Sequence, residues 1–229
     1  MEYNDLMKQL EAAGTEQTRK TLRRHGVEGD LFGVSYSTFG VLKKKIKTDH
    51  DLALKLWASR NHDARIFATM IADPAKLNAD LFDNWVKDLR NYVIIDALAT
   101  VANQSNISLS RTEKWMKSKD EWVGNFGWSL FARAARTNPE FTEAVLEKYI
   151  EIIERDIHKA QNRVRHAMNS ALISIGVKND KLQKKALAAA ARIGKVEVDH
   201  GDTDCKTPDA AQYILKTAKQ NKAKAAKAK

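Results

Sequence analysis

The sequence NYVIIDALATVA, residues 91–102, decides the fold class because its apolar run continues through one carboxylate, Asp96, without a turn signal. This continuity favours a helix over a short strand. A helix places Tyr92, Asp96 and Thr100 four residues apart on one face. A buried carboxylate is costly unless it is paired or hydrogen-bonded. Asp96 is therefore either a structural group satisfied by Arg90, Lys87 or a neighbouring helix, or a site for positive charge.

Helix signals recur along the chain on both sides of this stretch. The 229 residues include only 3 prolines and 10 glycines, which argues against an all-β protein with many turns. Ser110 with Glu113 forms a capping box, and Asn138-Pro139 predicts the start of a helix that ends near Ile157. The sequence predicts an all-α protein of roughly twelve helices joined by short loops.

Three of the predicted helices carry a small residue within an apolar segment. These residues are Ala68, Gly127 and Ala167, at irregular spacings of 59 and 40 residues. A small side chain lets a neighbouring helix approach closely. Although the period is irregular, stacked helix pairs favour a HEAT-like repeat superhelix, whose repeats are ~40 residues long. Such a solenoid binds its partners on a concave face, which we expect to be basic.

The chain divides into a body and a tail. We expect residues 1–215 to form a single domain and residues 216–229, rich in lysine and alanine, to be disordered. Residues 195–202 alternate apolar and polar side chains and then turn at Gly201. This pattern favours a short strand or a β-hairpin near residues 195–206.

The charge of the chain favours a polyanionic partner. The net charge is +10, and the tail contributes six lysines and no acid. Without the tail, 33 basic and 29 acidic residues leave a body with a charge of +4. A mildly basic body with a strongly basic tail is compatible with a polyanion.

The sequence also indicates the compartment. A single cysteine, Cys205, excludes an intrachain disulfide. No apolar run approaches the ~20 residues that a membrane span needs, and the first residues lack the layout of a signal peptide. We therefore expect a soluble cytoplasmic protein that does not bind membranes.

Five polar residues form a predicted stripe along one helix. Read as one continuous helix, the stripe contains Arg155, Lys159, Asn162, Arg163 and His166. Such a stripe is suited to DNA phosphates, although a solvated surface has the same pattern.

No motif of a known cofactor or nucleophile site occurs. The chain lacks a P-loop, a dinucleotide fingerprint, GxSxG, HExxH and paired CxxC, so we expect no cofactor and no metal. The loop with Asp199, His200, Asp202, Asp204 and Cys205 is a weaker alternative, a metal site without a recognised spacing.

The chain resembles the HEAT-like-repeat alkylpurine DNA glycosylases, the AlkD-type DNA alkylation repair family. The resemblance runs over most of the chain and rests on an ensemble of segments. These segments are LKLW with NHDAR (54–57, 61–65), WVKD with Asp96 (85–88), KWM with WV (114–116, 122–123), and KVEVDHG with CKTPDA (195–201, 205–210).

The resemblance implies that Asp96 is the catalytic residue, which stabilises positive charge on the deoxyribose while a cationic N3- or N7-alkylpurine is released. We expect the protein to bind double-stranded DNA as a monomer, with Lys159, Arg163 and His166 of the basic stripe in contact with phosphates. Tyr92 stands where a tryptophan is usual, Asn125 where an arginine is expected, and Ser170 where a second tryptophan is expected. Three of the four residues that accompany the aspartate in the family's site are thus different in this chain.

These substitutions leave several functions open. The first is a glycosylase-like protein that holds duplex DNA on its concave face. The alternative is a non-catalytic DNA-binding protein that recognises damaged, bent or branched DNA. A third interpretation, ranked lower, is a solenoid that binds a peptide or helix in its groove.

Overall fold

The protein is all-α in the computed structural model, which describes the backbone of residues 1–227 and the side chains of residues 1–224. Its contacts form two compact units, residues 1–107 with 200–204, and residues 108–199 with the segment from 205 onward. The described residues contain thirteen α-helices and two short 3-10 helices, without a β-strand. The single domain predicted over residues 1–215 stays a prediction.

The first unit contains seven α-helices and one 3-10 helix. They are α1 (Tyr3–Ala12), α2 (Glu16–Arg24), α3 (Tyr36–Ile46), α4 (His50–Ala58), α5 (His62–Ile71), the 3-10 helix Pro74–Lys76, α6 (Ala79–Val86) and α7 (Tyr92–Ala102). The second unit contains the other six α-helices and the second 3-10 helix. They are α8 (Leu109–Met116), α9 (Glu121–Thr137), α10 (Glu143–Asp156), the 3-10 helix Ile157–Lys159, α11 (Asn162–Gly176), α12 (Asp180–Ile193) and α13 (Ala210–Lys227).

Side-chain caps define where most helices begin. Asn91 accepts the backbone N–H of Ile94 at 3.1 Å, which fixes the start of α7. Two predicted starts were wrong. The cap of α8 is Ser108, not Ser110. Asn138 ends α9 in an extended conformation, as a residue before proline prefers, and α10 begins only after its own cap, Thr142.

The strand or hairpin predicted near residues 195–206 was also wrong, since no strand occurs in the described part of the chain. Asn162 donates its amide to the carbonyl oxygen of Asp199 at 2.8 Å and accepts the N–H of Asp199 at 2.7 Å. Arg165 donates to the carbonyl oxygen of Glu197 at 2.8 Å. Side chains of α11 therefore satisfy backbone groups that a partner strand would otherwise bind.

The predicted tail differs from the structure as well. Helix α13 includes the backbone of residues 216–227, where we expected disorder, and the last two residues lie outside the described residues. Alanine and lysine have high helix propensity. Ile214 on the same helix is fully buried, and Lys222 forms an ion pair with Asp180 at 2.9 Å. The burial of Ile214 anchors the helix to the second unit.

Helices α8 and α9 meet at the small residue Gly127. A Cβ atom placed there would lie 2.4 Å from the backbone nitrogen of Met116. The close approach predicted from this small residue is therefore confirmed at Gly127.

Candidate functional site

Asp96 lies on the exposed face of α7, although its apolar neighbours suggested burial. The opposite side of the helix is anchored in the core by Ile95 and Leu98, which are fully buried. Tyr92, one turn earlier, is partly exposed, and Thr100, one turn later, is exposed and donates its hydroxyl to the carbonyl oxygen of Asp96 at 2.8 Å. The predicted shared face of these three residues is confirmed, and it faces solvent.

Two tyrosines are related to this carboxylate: Tyr92 shares its helix face, and Tyr36 is affected by its charge. The hydroxyl of Tyr92 forms a hydrogen bond with Nδ1 of His25, and the two rings meet edge to face with centroids 5.9 Å apart. Tyr36, the first residue of α3, is the second. Partial burial raises the pKa of Tyr36, and the negative charges of Asp96 and Asp63 raise it further. The electrostatic effect of Asp96 therefore reaches the Tyr36 phenol, a neighbour that the sequence analysis missed.

The position of Tyr36 depends on a buried carboxylate. Asp63 on α5 is 1% exposed and accepts the backbone N–H groups of Phe32 at 2.6 Å, Gly33 at 3.0 Å and Val34 at 2.8 Å. These three bonds satisfy a carboxylate that would otherwise be costly to bury. They also fix the segment that leads directly into α3.

The predicted basic stripe is not one helix. Helix α10 ends at Asp156 and α11 begins at Asn162, with the second 3-10 helix and an extended Ala160 between them. The side chain of Glu121 on α9 accepts the N–H of Arg163 at 2.6 Å, which anchors the start of α11. The two ends of the stripe therefore lie on different elements.

The members of the stripe have different surroundings. Arg155 forms two hydrogen bonds with the Asp156 carboxylate, at 2.9 and 2.6 Å, so a neighbouring anion balances its charge. Lys159 is exposed, whereas Arg163 and His166 are partly exposed.

Lys159 also lines a cavity of about 540 Å³ within the second unit. Trp128 and Met168 contribute apolar surface to this cavity. The hydroxyl of Tyr149 donates a hydrogen bond to Glu113 at 2.5 Å, and burial, with the charge of Glu113, raises the pKa of Tyr149.

The two remaining predicted contacts have little exposed surface. Asn125 on α9 is 4% exposed, and its carbonyl oxygen accepts the hydroxyl of Ser129 at 3.1 Å. Ser170 on α11 is partly exposed and donates its hydroxyl to the carbonyl oxygen of His166 at 3.1 Å. Their roles as DNA contacts stay predictions, and the burial of Asn125 argues against such a role for that side chain.

The predicted site residues are thus distributed over both units. Tyr92 and Asp96 belong to the first unit, and the others to the second. Within the part of the chain that the structure describes, no three His, Cys, Asp or Glu side chains form a group that could hold a metal ion. None of the described helices is long and apolar enough to cross a lipid bilayer.

Comparison with known proteins identifies the family of the chain. The family model described as "DNA alkylation repair enzyme" matches residues 6–214. The chain belongs to the DNA alkylation repair enzyme family. It is 30% identical to the uncharacterized protein Lin0241 of Listeria innocua, over 93% of this chain and 96% of that protein. It is also 30% identical to the uncharacterized protein Lmo0209 of Listeria monocytogenes, over 96% of this chain and 99% of that protein.

A solved structure supports the same assignment at the level of the fold. It is described as a new family of proteins related to the HEAT-like repeat DNA glycosylases with affinity for branched DNA structures. The TM-score is 0.88 and the identity is 30%, over 96% of this chain and 95% of that chain. The predicted family and the all-α HEAT-like repeat fold are therefore confirmed.

Proposed function

We propose that this member of the DNA alkylation repair family binds DNA as a monomer and prefers branched structures to linear duplex. The burial of Asn125 is the observation that favours binding of branched DNA over base excision. This residue stands where the resemblance to the glycosylases implies an arginine that contacts the DNA backbone. Because Asn125 is neutral, 4% exposed and hydrogen-bonded to Ser129, it lacks both the charge and the accessibility that a phosphate contact needs.

The affinity of the solved relative's family for branched DNA structures gives independent support. Concave surfaces of HEAT-like repeat proteins are binding surfaces, so we expect the DNA to lie on that face. Exposed cations are available in both units, including Lys43, Lys44 and Lys45 at the end of α3 and Lys159 before α11. A positive net charge of +10 favours the encounter with DNA.

Titration of a four-way DNA junction at several salt concentrations tests this proposal. Each phosphate neutralised by a cation releases counterions, so the logarithm of the association constant should fall linearly with the logarithm of the salt concentration. Lys159→Gln should reduce the magnitude of this slope by about 1. Lys76→Gln, an exposed lysine of the first 3-10 helix, serves as the control. A flat salt response would count against DNA as the partner.

A second candidate function is the excision of cationic alkylated purines, and the exposure of Asp96 favours it. A carboxylate that faces solvent can approach a deoxyribose that develops positive charge while its glycosidic bond breaks. Aromatic rings attract cations, and we expect Tyr92, on the same helix face, and Tyr36, which is 58% exposed, to supply them for a cationic base. These three residues belong to the same unit, so the arrangement needs no contribution from α9 or α11.

A base-release assay separates the two candidates. Wild-type protein, Asp96→Asn and a control variant, Asp51→Asn on exposed α4 surface, are incubated with methylated duplex. Excision predicts release of 7-methylguanine or 3-methyladenine by wild type and Asp51→Asn but not by Asp96→Asn. Release no faster than the spontaneous rate at high protein concentration would remove this candidate and leave the binding function.

A further inference from the structure

Three arginines line a small cavity in the first unit, which Asn91 and Ile94 at the start of α7 also line. This arginine pocket has a volume of about 260 Å³ and is lined by Arg60, Arg65, Arg90, His62 and Asp88, together with the loop after α2. Its volume is below the roughly 300–1,000 Å³ that is typical of pockets for drug-sized ligands. The size therefore suits a small group rather than a whole nucleotide.

Arg65 is the buried cation of this pocket. It is only 9% exposed, its Nε donates to the carbonyl oxygen of Trp57 at 3.1 Å, and its guanidinium lies 5.2 Å from the centre of the Trp57 ring. These contacts fix the side chain through Nε and the ring. Its two terminal nitrogens make no hydrogen bond with the side chains and backbone of residues 1–224, and they are not among the buried atoms that lack a partner, so they are accessible from the pocket.

The surroundings of Arg65 disfavour its positive charge. Burial lowers its pKa most, the carboxylate of Asp88 opposes this effect, and the charge of Arg60 lowers the pKa further. Glu28 is the other carboxylate of the lining, and the third arginine, Arg90, donates to the carbonyl oxygens of Lys87 at 2.8 Å and Leu89 at 2.6 Å. An added anion would therefore relieve repulsion between guanidinium groups.

Arg60 reaches this pocket from a strained backbone. Its φ of +61° lies in the left-handed region, which is uncommon for residues other than glycine, asparagine and aspartate. The next two residues fix this backbone conformation. Asn61 caps α5, and the N–H of His62 donates to the carbonyl oxygen of Asp30 at 2.8 Å. Strained residues that the surroundings maintain are concentrated at ligand-binding sites.

His62 completes the wall of the pocket with a neutral donor. It is 5% exposed, and burial lowers its pKa to about 4. The imidazole is therefore neutral at neutral pH and retains one N–H group. It adds no positive charge to the three arginines.

We propose that the arginine pocket binds a terminal phosphate group, either inorganic phosphate or the phosphate of a monoester. Planar guanidinium groups match the geometry of phosphate oxygens and can donate two parallel hydrogen bonds. The recessed position of Arg65 favours a terminal phosphate, which projects from its ester, over a phosphodiester that is linked on both sides. The group could come from free phosphate or from a phosphorylated DNA end, and only the second source rests on the proposed DNA-binding function.

Arg60 offers a test that leaves the fold intact. Arg60→Gln removes the guanidinium and keeps the backbone conformation just as strained. Arg60→Gly removes the guanidinium and relaxes that conformation, so this variant should bind no better and should melt at least as high as Arg60→Gln. Arg136→Gln, an exposed arginine on α9 of the second unit, is the matched control.

The first probe is inorganic phosphate, added to the full chain at constant ionic strength and followed by nuclear magnetic resonance of the arginine side chains. Saturable binding at millimolar phosphate is expected for wild type and Arg136→Gln, with at least tenfold weaker binding for both Arg60 variants. Absence of saturation in wild type, or equal binding by Arg60→Gln and wild type, would overturn the proposal.

The second probe is a DNA junction whose ends are 5′-phosphorylated or 5′-hydroxyl. If the site binds DNA ends, the phosphorylated junction should bind about fivefold more tightly than the hydroxyl one. This difference should be lost in the Arg60 variants. Equal binding of both junctions, with phosphate binding retained, would assign the site to free phosphate. Since the 5′-hydroxyl junction measures DNA binding without the pocket, failure of the proposed function would be seen separately.

Discussion

The hydroxyl of Tyr92 forms a hydrogen bond with Nδ1 of His25, and this contact joins the first turn of α7 to the end of α2. The edge-to-face contact of the two rings accompanies this bond and helps to fix the orientation of the Tyr92 ring. A tyrosine at this position therefore has a structural partner that a tryptophan, which lacks a hydroxyl, could not have in the same way. Tyr92, at the position where the resemblance implies a tryptophan, is therefore integrated into the fold by this bond.

Replacement of Tyr92 by phenylalanine tests this integration. Tyr92→Phe keeps the ring and loses the hydrogen bond to His25, so the free energy of unfolding should fall by about 1 kcal/mol. Chemical denaturation measures the change, with Tyr213→Phe on the exposed surface of α13 as the control. An unchanged stability of Tyr92→Phe would show that the bond contributes little to the fold.

The stability of the protein should depend on the protonation of His62. Burial lowers its pKa to about 4 from an ordinary 6.5, so the unfolded chain binds more protons than the folded one between these values. The stabilisation is complete above pH 6.5 and declines as the pH falls towards 4. The full loss from this group is about 3 kcal/mol.

Urea denaturation between pH 7 and 5 measures the part of this loss that occurs while the carboxylates stay ionised. His62→Gln should be less sensitive to pH than wild type over that range. If both proteins lose the same stability, another group is responsible for the dependence.

Asp63 should be a large contributor to stability because it accepts three backbone N–H groups in a buried site. Asp63→Asn replaces one acceptor oxygen by a donor that faces N–H groups, so unfolding should become easier by about 3 kcal/mol. Asp5→Asn, an exposed acid in the first turn of α1, should stay within about 0.5 kcal/mol of wild type. Equal stabilities of the two variants would contradict the role of Asp63.

Two glycine-to-alanine substitutions should have opposite effects. Gly127→Ala would bring a methyl group to 2.4 Å from the backbone nitrogen of Met116 and should destabilise the protein by about 3 kcal/mol. Gly40→Ala, inside α3, meets nothing within 4 Å and should stabilise by roughly 0.5–1 kcal/mol through helix propensity. Thermal unfolding of both variants measures the difference, and a stabilised Gly127→Ala would refute the close helix contact.

Local patterns predicted much of this fold. The periodicity of residues 91–102 predicted α7 and the shared face of Tyr92 and Asp96, because helical spacing depends only on near neighbours. The same reasoning failed where two local signals competed. Asn138-Pro139 resembles a helix start, but here the pair ends α9. The alternation over residues 195–202 resembles a strand, but side chains of α11 bind its backbone.

The site was less accessible to sequence reasoning because its key contacts join distant segments. No local pattern predicts that Asp63 binds the backbone of residues 32–34, or that this contact brings Tyr36 near Asp96. The exposure of Asp96 and the burial of Asn125 likewise depend on how helices pack. The signal for Asp63 was present only as a carboxylate inside the apolar segment that follows Asn61.

The most direct test of the account is a competition between a four-way DNA junction and a linear duplex of the same sequence and length, both with 5′-hydroxyl ends, at physiological salt. We predict that the junction displaces the duplex and that its affinity is at least tenfold higher. Equal affinity for the two DNAs, or no retention of either, would contradict the proposed function.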